Sequence, residues 1–147
     1  NRPAAQVYAT DISPAALAVA RKNAARYGVG VTFYEGDLLA PLLERSVKLD
    51  LIMANLPYIA SDEVPDLAVS RYEPRLALDG GADGLDLIRR LLAQVPHVAN
   101  PGALILLEIG AGQGESALAL VESALAPRRA ELLLDYAGLD RIIHAEL

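Results

Sequence analysis

Apolar and polar positions follow two rhythms along the 147 residues. Short apolar runs bounded by turn residues read as strands: AQVYAT (5 to 10) ending at Asp11, VTFYE (31 to 35), LDLIMA (about 49 to 54) and ALILLEIG after the turn Asn100-Pro101-Gly102. AELLLDY and RIIHAEL form a closing pair of strands joined through Ala137-Gly138-Leu139-Asp140. Three stretches keep helical spacing instead. Ser13 followed by Pro14 sets a hydroxyl at the N-cap and a proline at the first helical position, and Gly28 suits the position just past the helix, so ALAVARKNAARY is bounded on both sides. GLDLIRRLLAQVPHVA brings Leu85, Ile88, Leu91, Leu92 and Val95 to one face, and ESALALVESALA is the third helix. Residues 59 to 83, broken by Pro65, Pro74, Gly80 and Gly81, read as a long loop with one helical turn near Val64 to Ser70. Loops of that length inside compact domains tend to be functional. The order β-α-β-β-loop-α-β-α-β-β predicts an α/β fold with a mostly parallel sheet and an antiparallel C-terminal hairpin.

Composition narrows the picture. With 53% hydrophobic residues and this length, one globular domain with its own core is expected. No apolar run approaches a membrane span and no signal-peptide pattern opens the chain, so no membrane association is expected. The absence of cysteine excludes disulfides and thiolate metal sites and fits a cytoplasmic protein. No side-chain pattern suggests a bound metal. The net charge of −6 lacks the basic footprint of a protein that grips nucleic acid. The chain opens on Asn1 and its single methionine is Met53, so a fragment lacking an upstream region is expected.

A continuous apolar strand is usually buried on both faces of a parallel sheet, and such sheets carry their chemistry just past the strand ends. LDLIMA delivers Asn55-Leu56-Pro57-Tyr58 at that place: an amide, a proline-constrained backbone and a phenol. The plainer reading is an asparagine-initiated turn before proline. Two earlier strands close on acids. Asp11 offers a carboxylate to a ribose diol, and Asp37, or the Leu38 N–H, is placed to meet the edge of an adenine; singly, each is an ordinary turn aspartate. A competing cofactor signal is EIGAGQG, whose Gly110, Gly112 and Gly114 lie between a strand and a helix with Asp135 further on, the pattern of a dinucleotide-binding module. It reads equally as a turn that lets a helix pack closely. Glu73 and Arg75 flank Pro74 and either touch a substrate or pair with each other. Glu108 lies near the site or bonds to the turn at Gly110, and His97 and His144 read as surface or helix-end residues.

Taken in order, ATDISPAALAVARKNAARYGV, EGDLLAPL, LDLIMANLPYI, YEPRLALDGGADGLDLIRRL, LLEIGAGQGE and DYAGLDRIIHAEL resemble the catalytic domain of the release-factor glutamine N5-methyltransferases (PrmC/HemK) over nearly the whole chain. The resemblance implies a Rossmann-like S-adenosyl-L-methionine (AdoMet) methyltransferase over residues 1 to 147 whose first strand, with its glycine-rich loop, precedes Asn1 and lies between the strands ending at Asp11 and Asn55. EIGAGQG is then a packing turn. The implied cofactor-binding residues are Asp11, Ile12, Asp37, Leu38 and Asn55. The implied catalytic residues are Asn55, Leu56, Pro57 and Tyr58: the Asn55 side-chain oxygen and the Leu56 carbonyl would accept the two hydrogens of a glutamine side-chain amide, in the GGQ loop of a peptide-chain release factor, against the face of Tyr58. Leu56 departs from the family, which usually has proline there; the carbonyl stays while the ring's hold on φ is lost. The rivals are a methyltransferase acting on an exocyclic amine of adenine or guanine in RNA or DNA, the dinucleotide-binding module, and an inactive fragment.

Overall fold

The computed structural model describes residues 5–147 and divides the chain into two compact units, Asn1–Val47 and Lys48–Leu147. In the first, strand β1 (Tyr8–Asp11) pairs in parallel with β2 (Thr32–Glu35) across helix α1 (Pro14–Tyr27). Both ends of α1 are capped as the residue types dictate. The Ser13 hydroxyl accepts the Ala16 N–H at 3.2 Å with Pro14 as the first helical residue. At the other end Gly28 is left-handed (φ 63°), and the Gly28 and Val29 N–H groups return to the Ala25 and Ala24 carbonyls. Leu17 is the residue α1 buries. On the sheet, Tyr8 and Tyr34 stack with ring centroids 6.3 Å apart, and the Arg45 guanidinium lies over the Tyr34 ring at 4.4 Å. A four-residue helix, α2 (Ala40–Leu43), buries Pro41 and Leu42; it is too short to leave a helical period in the sequence.

The second unit holds a four-stranded sheet of β3 (Leu49–Asn55), β4 (Ala99–Glu108), β5 (Arg129–Leu134) and β6 (Asp140–Glu146), in the order β3-β4-β6-β5. β3 and β4 are parallel, while β6 runs antiparallel to both neighbours, so the C-terminal hairpin supplies the single reversed strand as expected. Helix α3 (Asp86–Val98) buries Ile88, Leu91, Leu92, Val95 and Val98, and α4 (Gly114–Leu125) buries Ala117 and Val121. With Ile52, Ile105, Leu107, Ile143 and Ala145 of the sheet they make the core. A fully buried side chain of this kind stabilises by about 1.5–3 kcal/mol relative to exposure. Alternation then sends Leu51 and Met53 to the other face, where they are 47% and 70% exposed. β3 is therefore not buried on both sides, contrary to the reading of its apolar run.

Two local expectations differ from what is observed. Asn100-Pro101-Gly102 falls inside β4 rather than before it, with Gly102 left-handed at φ 79°. The long loop contains three 3₁₀ turns, Val64–Asp66, Ala68–Arg71 and Arg75–Ala77, where the sequence suggested one. Pro65 is the second residue of the first and Pro74 directly precedes the third, fixing φ where no α-helix continues.

Candidate active site

Asn55 is the last residue of β3 and pairs in register with Glu108 at the end of β4. Its side chain is exposed and makes no hydrogen bond within the described residues. The next residues bend away from the sheet and line a cleft of about 250 Å³ formed by Asn55, Leu56, Pro57, Tyr58, Ile59, Glu73, Ala77 and Leu78. All four residues of the NLPY motif thus meet in one concavity. The Leu56 carbonyl is taken by no turn or loop hydrogen bond among the described residues, which leaves it and the Asn55 amide as unused polar groups.

The YEPRLALDGG segment forms the opposite wall and is tied to the motif by backbone pairing. Ile59 makes an isolated parallel bridge with Asp79, with the Ile59 N–H on the Leu78 carbonyl (3.1 Å) and the Gly80 N–H on the Ile59 carbonyl (2.8 Å). The approach is close enough that a Cβ on Gly80 would lie 2.6 Å from the Pro57 oxygen. Asp79 accepts from the Ser61 hydroxyl, from the Gly81 N–H and from Arg75, and these donors, the Ser61 hydroxyl foremost, hold its carboxyl down at about 2. Arg75 therefore pairs with Asp79 and not with Glu73, an exposed residue that lines the cleft. Asp83 shows the same pattern beside α3: Arg89 and the Leu85 N–H hold its carboxyl at about 2.

The turn EIGAGQG is engaged within the chain. A Cβ on Gly114 would sit 2.6 Å from Asp140 Oδ2, and the Gly114 N–H donates to that oxygen at 2.9 Å, so the start of α4 is already engaged by the chain's own carboxylate. Gln113 turns back: its Oε1 accepts the Gly110 N–H at 2.8 Å and its Nε2 donates to the Tyr58 carbonyl at 2.9 Å. Glu108 is half-buried, and Gln113 takes the Gly110 N–H that the sequence offered to it. Asp135 accepts from the Ala137 and Leu139 N–H groups and pairs with Arg141 at 3.2 Å. It is the acid of a turn, held below the usual carboxylate range chiefly by the Leu139 N–H. His144 packs its Nδ1 2.9 Å from Glu131, a cross-strand partner that sequence spacing did not reveal.

The other candidates lie in the first unit. Asp11 closes β1, and one of its carboxylate oxygens accepts the Ser13 N–H at 2.7 Å, leaving the second oxygen for another donor. Ile12, the next residue, is 52% exposed. Asp37 and Leu38 follow β2, and Leu38 is left-handed at φ 51°. A branched residue held there costs on the order of 1 kcal/mol, the kind of strain that collects at ligand sites. Among the described residues no group of three or more acidic or histidine side chains is placed to hold a metal, and no helix is long and apolar enough to cross a membrane.

A family model described as a methyltransferase domain matches residues 1–80. The chain is similar to the release factor glutamine methyltransferase of Moorella thermoacetica, 51% identical over 95% of this chain and 50% of that protein. It is likewise similar to the one of Cereibacter sphaeroides, 47% identical over 100% and 53%. It spans about half the length of the curated relatives it matches. Among solved structures it resembles the release-factor-specific protein-(glutamine-N5) methyltransferase of Alicyclobacillus acidocaldarius, 25% identical with a TM-score of 0.56, over 96% of this chain and 78% of that one. These likenesses agree with the Rossmann-like methyltransferase fold that the family resemblance implied.

Proposed function

The chain belongs to the methyltransferase domain family, and from that premise we propose that it carries the catalytic residues of an AdoMet-dependent enzyme that methylates the side-chain nitrogen of a glutamine in a peptide-chain release factor. The observation that carries this reading is the NLPY cleft: an exposed, unbonded Asn55 amide and the Leu56 carbonyl at a strand end, beside Tyr58.

AdoMet supplies a methyl group already activated by its sulfonium. The chain's part is to hold a weak nucleophile, since an amide lone pair is delocalised into its carbonyl. The Asn55 Oδ1 and the Leu56 carbonyl accept the two amide hydrogens, orient the nitrogen and stabilise the positive charge that develops on it. Pro57 restricts Leu56 to extended conformations and so sets where its carbonyl points. Tyr58 offers an apolar face to the planar group. In the first unit, the free Asp11 oxygen suits a ribose diol, Ile12 adds apolar surface, and Asp37 with the strained Leu38 backbone suits an adenine edge. These residues fit AdoMet by donor and acceptor type.

The test incubates the whole protein with AdoMet and a purified release factor and follows the GGQ peptide by mass spectrometry. One added methyl on that glutamine is expected. No methyl there, with transfer to an RNA or DNA oligonucleotide, would replace this reading with a base-directed one.

A further inference from the structure

Three chain segments that are distant in sequence converge on the Gln113 side chain. Its Oε1 accepts the Gly110 N–H at 2.8 Å, and its Nε2 donates to the Tyr58 carbonyl at 2.9 Å and to the Asp83 carbonyl at 3.3 Å. One acceptor and two donors on a neutral group is what a primary amide provides; glutamate lacks the donors and lysine the acceptor. The joint is fitted closely around it. A Cβ on Gly84 would collide with the Tyr58 carbonyl oxygen, and one on Gly110 would lie 3.0 Å from Gln113 Oε1 and 3.1 Å from the Tyr58 ring.

Asn55 is fixed by its pairing with β4, and Ile59 is fixed by its bridge to Asp79. Leu56-Pro57-Tyr58 crosses between these anchors, and the hydrogen bond from Gln113 is the tether that the described residues provide there. Because Pro57 locks one of the torsions between the Tyr58 and Leu56 carbonyls, a shift of the Tyr58 peptide has fewer ways to be absorbed before it reaches the Leu56 carbonyl.

We infer that Gln113 is a positioning residue for methyl transfer, acting through the Tyr58 carbonyl to hold the acceptor end of the NLPY motif in place. The inference rests on the function proposed above and assigns the glycine-rich turn a part in it other than cofactor binding. Gln113 touches neither substrate nor cofactor in this role, so its loss alters the geometry of transfer while sparing AdoMet recognition. Small misplacements of reacting groups reduce turnover strongly.

The test compares Gln113→Met, which keeps the side-chain length and removes all three bonds, with Gln113→Glu, which keeps the acceptor and sets a carboxylate against two carbonyl oxygens. Turnover is measured in the whole protein per folded molecule, counted by AdoMet-binding stoichiometry, so that simple loss of folded protein does not register. Expected is a fall in kcat of about tenfold or more with KM for AdoMet changed by less than about twofold, and little further loss when either change is added to Asn55→Ala. Wild-type kcat in a folded variant overturns the inference, as does full additivity with Asn55→Ala. Should Gln113→Glu fail to fold, the uncharged Gln113→Met carries the same readout. A wild-type protein that methylates no glutamine removes the underlying function instead, so the two failures are distinguishable.

Discussion

The Ser61 hydroxyl donates to the Asp79 carboxylate over 2.5 Å, and with that bond the two arms of the long loop are locked to one another. The Gly81 N–H and Arg75 complete the set of donors around the same carboxylate. This small network keeps Leu78 and Ile59, both lining the cleft, at a fixed separation.

A pH dependence follows from it. The Asp79 carboxyl is lowered from 3.8 to about 2 in the folded chain. A depressed folded value means the stabilising contribution is fully present above the unfolded value near 4 and is lost as the pH falls from there towards about 2. Asp79→Asn is expected to lower the urea midpoint at pH 7 and to flatten its decline between pH 4 and 2. An unchanged acid slope would remove Asp79 from the network, although Asp83, also held at about 2, would still contribute a slope of its own.

Asp11 carries two tasks that substitution separates. One oxygen holds the Ser13 N–H at the start of α1, and the other is assigned here to the cofactor. Asp11→Asn keeps an acceptor for Ser13, so it is expected to leave the melting temperature nearly unchanged while weakening AdoMet binding about tenfold or more, as expected when a charged hydrogen bond is lost. Asp11→Ala is expected to lower both. Calorimetric affinity equal to wild type in Asp11→Asn would withdraw Asp11 from the cofactor site.

Gly28 and Gly84 are both left-handed, at φ 63° and 75°, but their surroundings differ. A Cβ on Gly28 meets nothing within 4 Å, whereas one on Gly84 strikes the Tyr58 carbonyl and the Gln113 amide. Gly28→Ala is expected to cost about 1 kcal/mol from backbone conformation alone, and Gly84→Ala on the order of 2 kcal/mol or more, measured by urea denaturation. Equal costs would show that the joint around Tyr58 is looser than its distances imply.

Local signals in the sequence reported local structure well. Ser13, Pro14 and Gly28 bounded α1 because capping depends on a few neighbouring residues, and the apolar spacing of Leu85, Ile88, Leu91, Leu92 and Val95 placed the buried face of α3. The strand end at Asn55 was legible because apolar periodicity stops there. What the sequence concealed was long-range. Nothing near Gln113 indicates that it bonds a carbonyl 55 positions away, and His144 meets Glu131 only because β5 and β6 pair. The glycine pattern of EIGAGQG was ambiguous in sequence for a physical reason: close helix packing and ligand approach both require a missing Cβ, and only the surrounding atoms distinguish them.

Asn55 is the residue on which the proposed activity depends most directly, since its unbonded amide would hold the acceptor nitrogen. The decisive measurement is peptide mass spectrometry of the release-factor glutamine after incubation with wild-type protein and with Asn55→Ala, each matched for AdoMet binding by calorimetry. One methyl group with wild type, and a transfer rate about a hundredfold lower or more with Asn55→Ala at nearly unchanged AdoMet affinity, is the predicted result. Equal methylation by both proteins would contradict it.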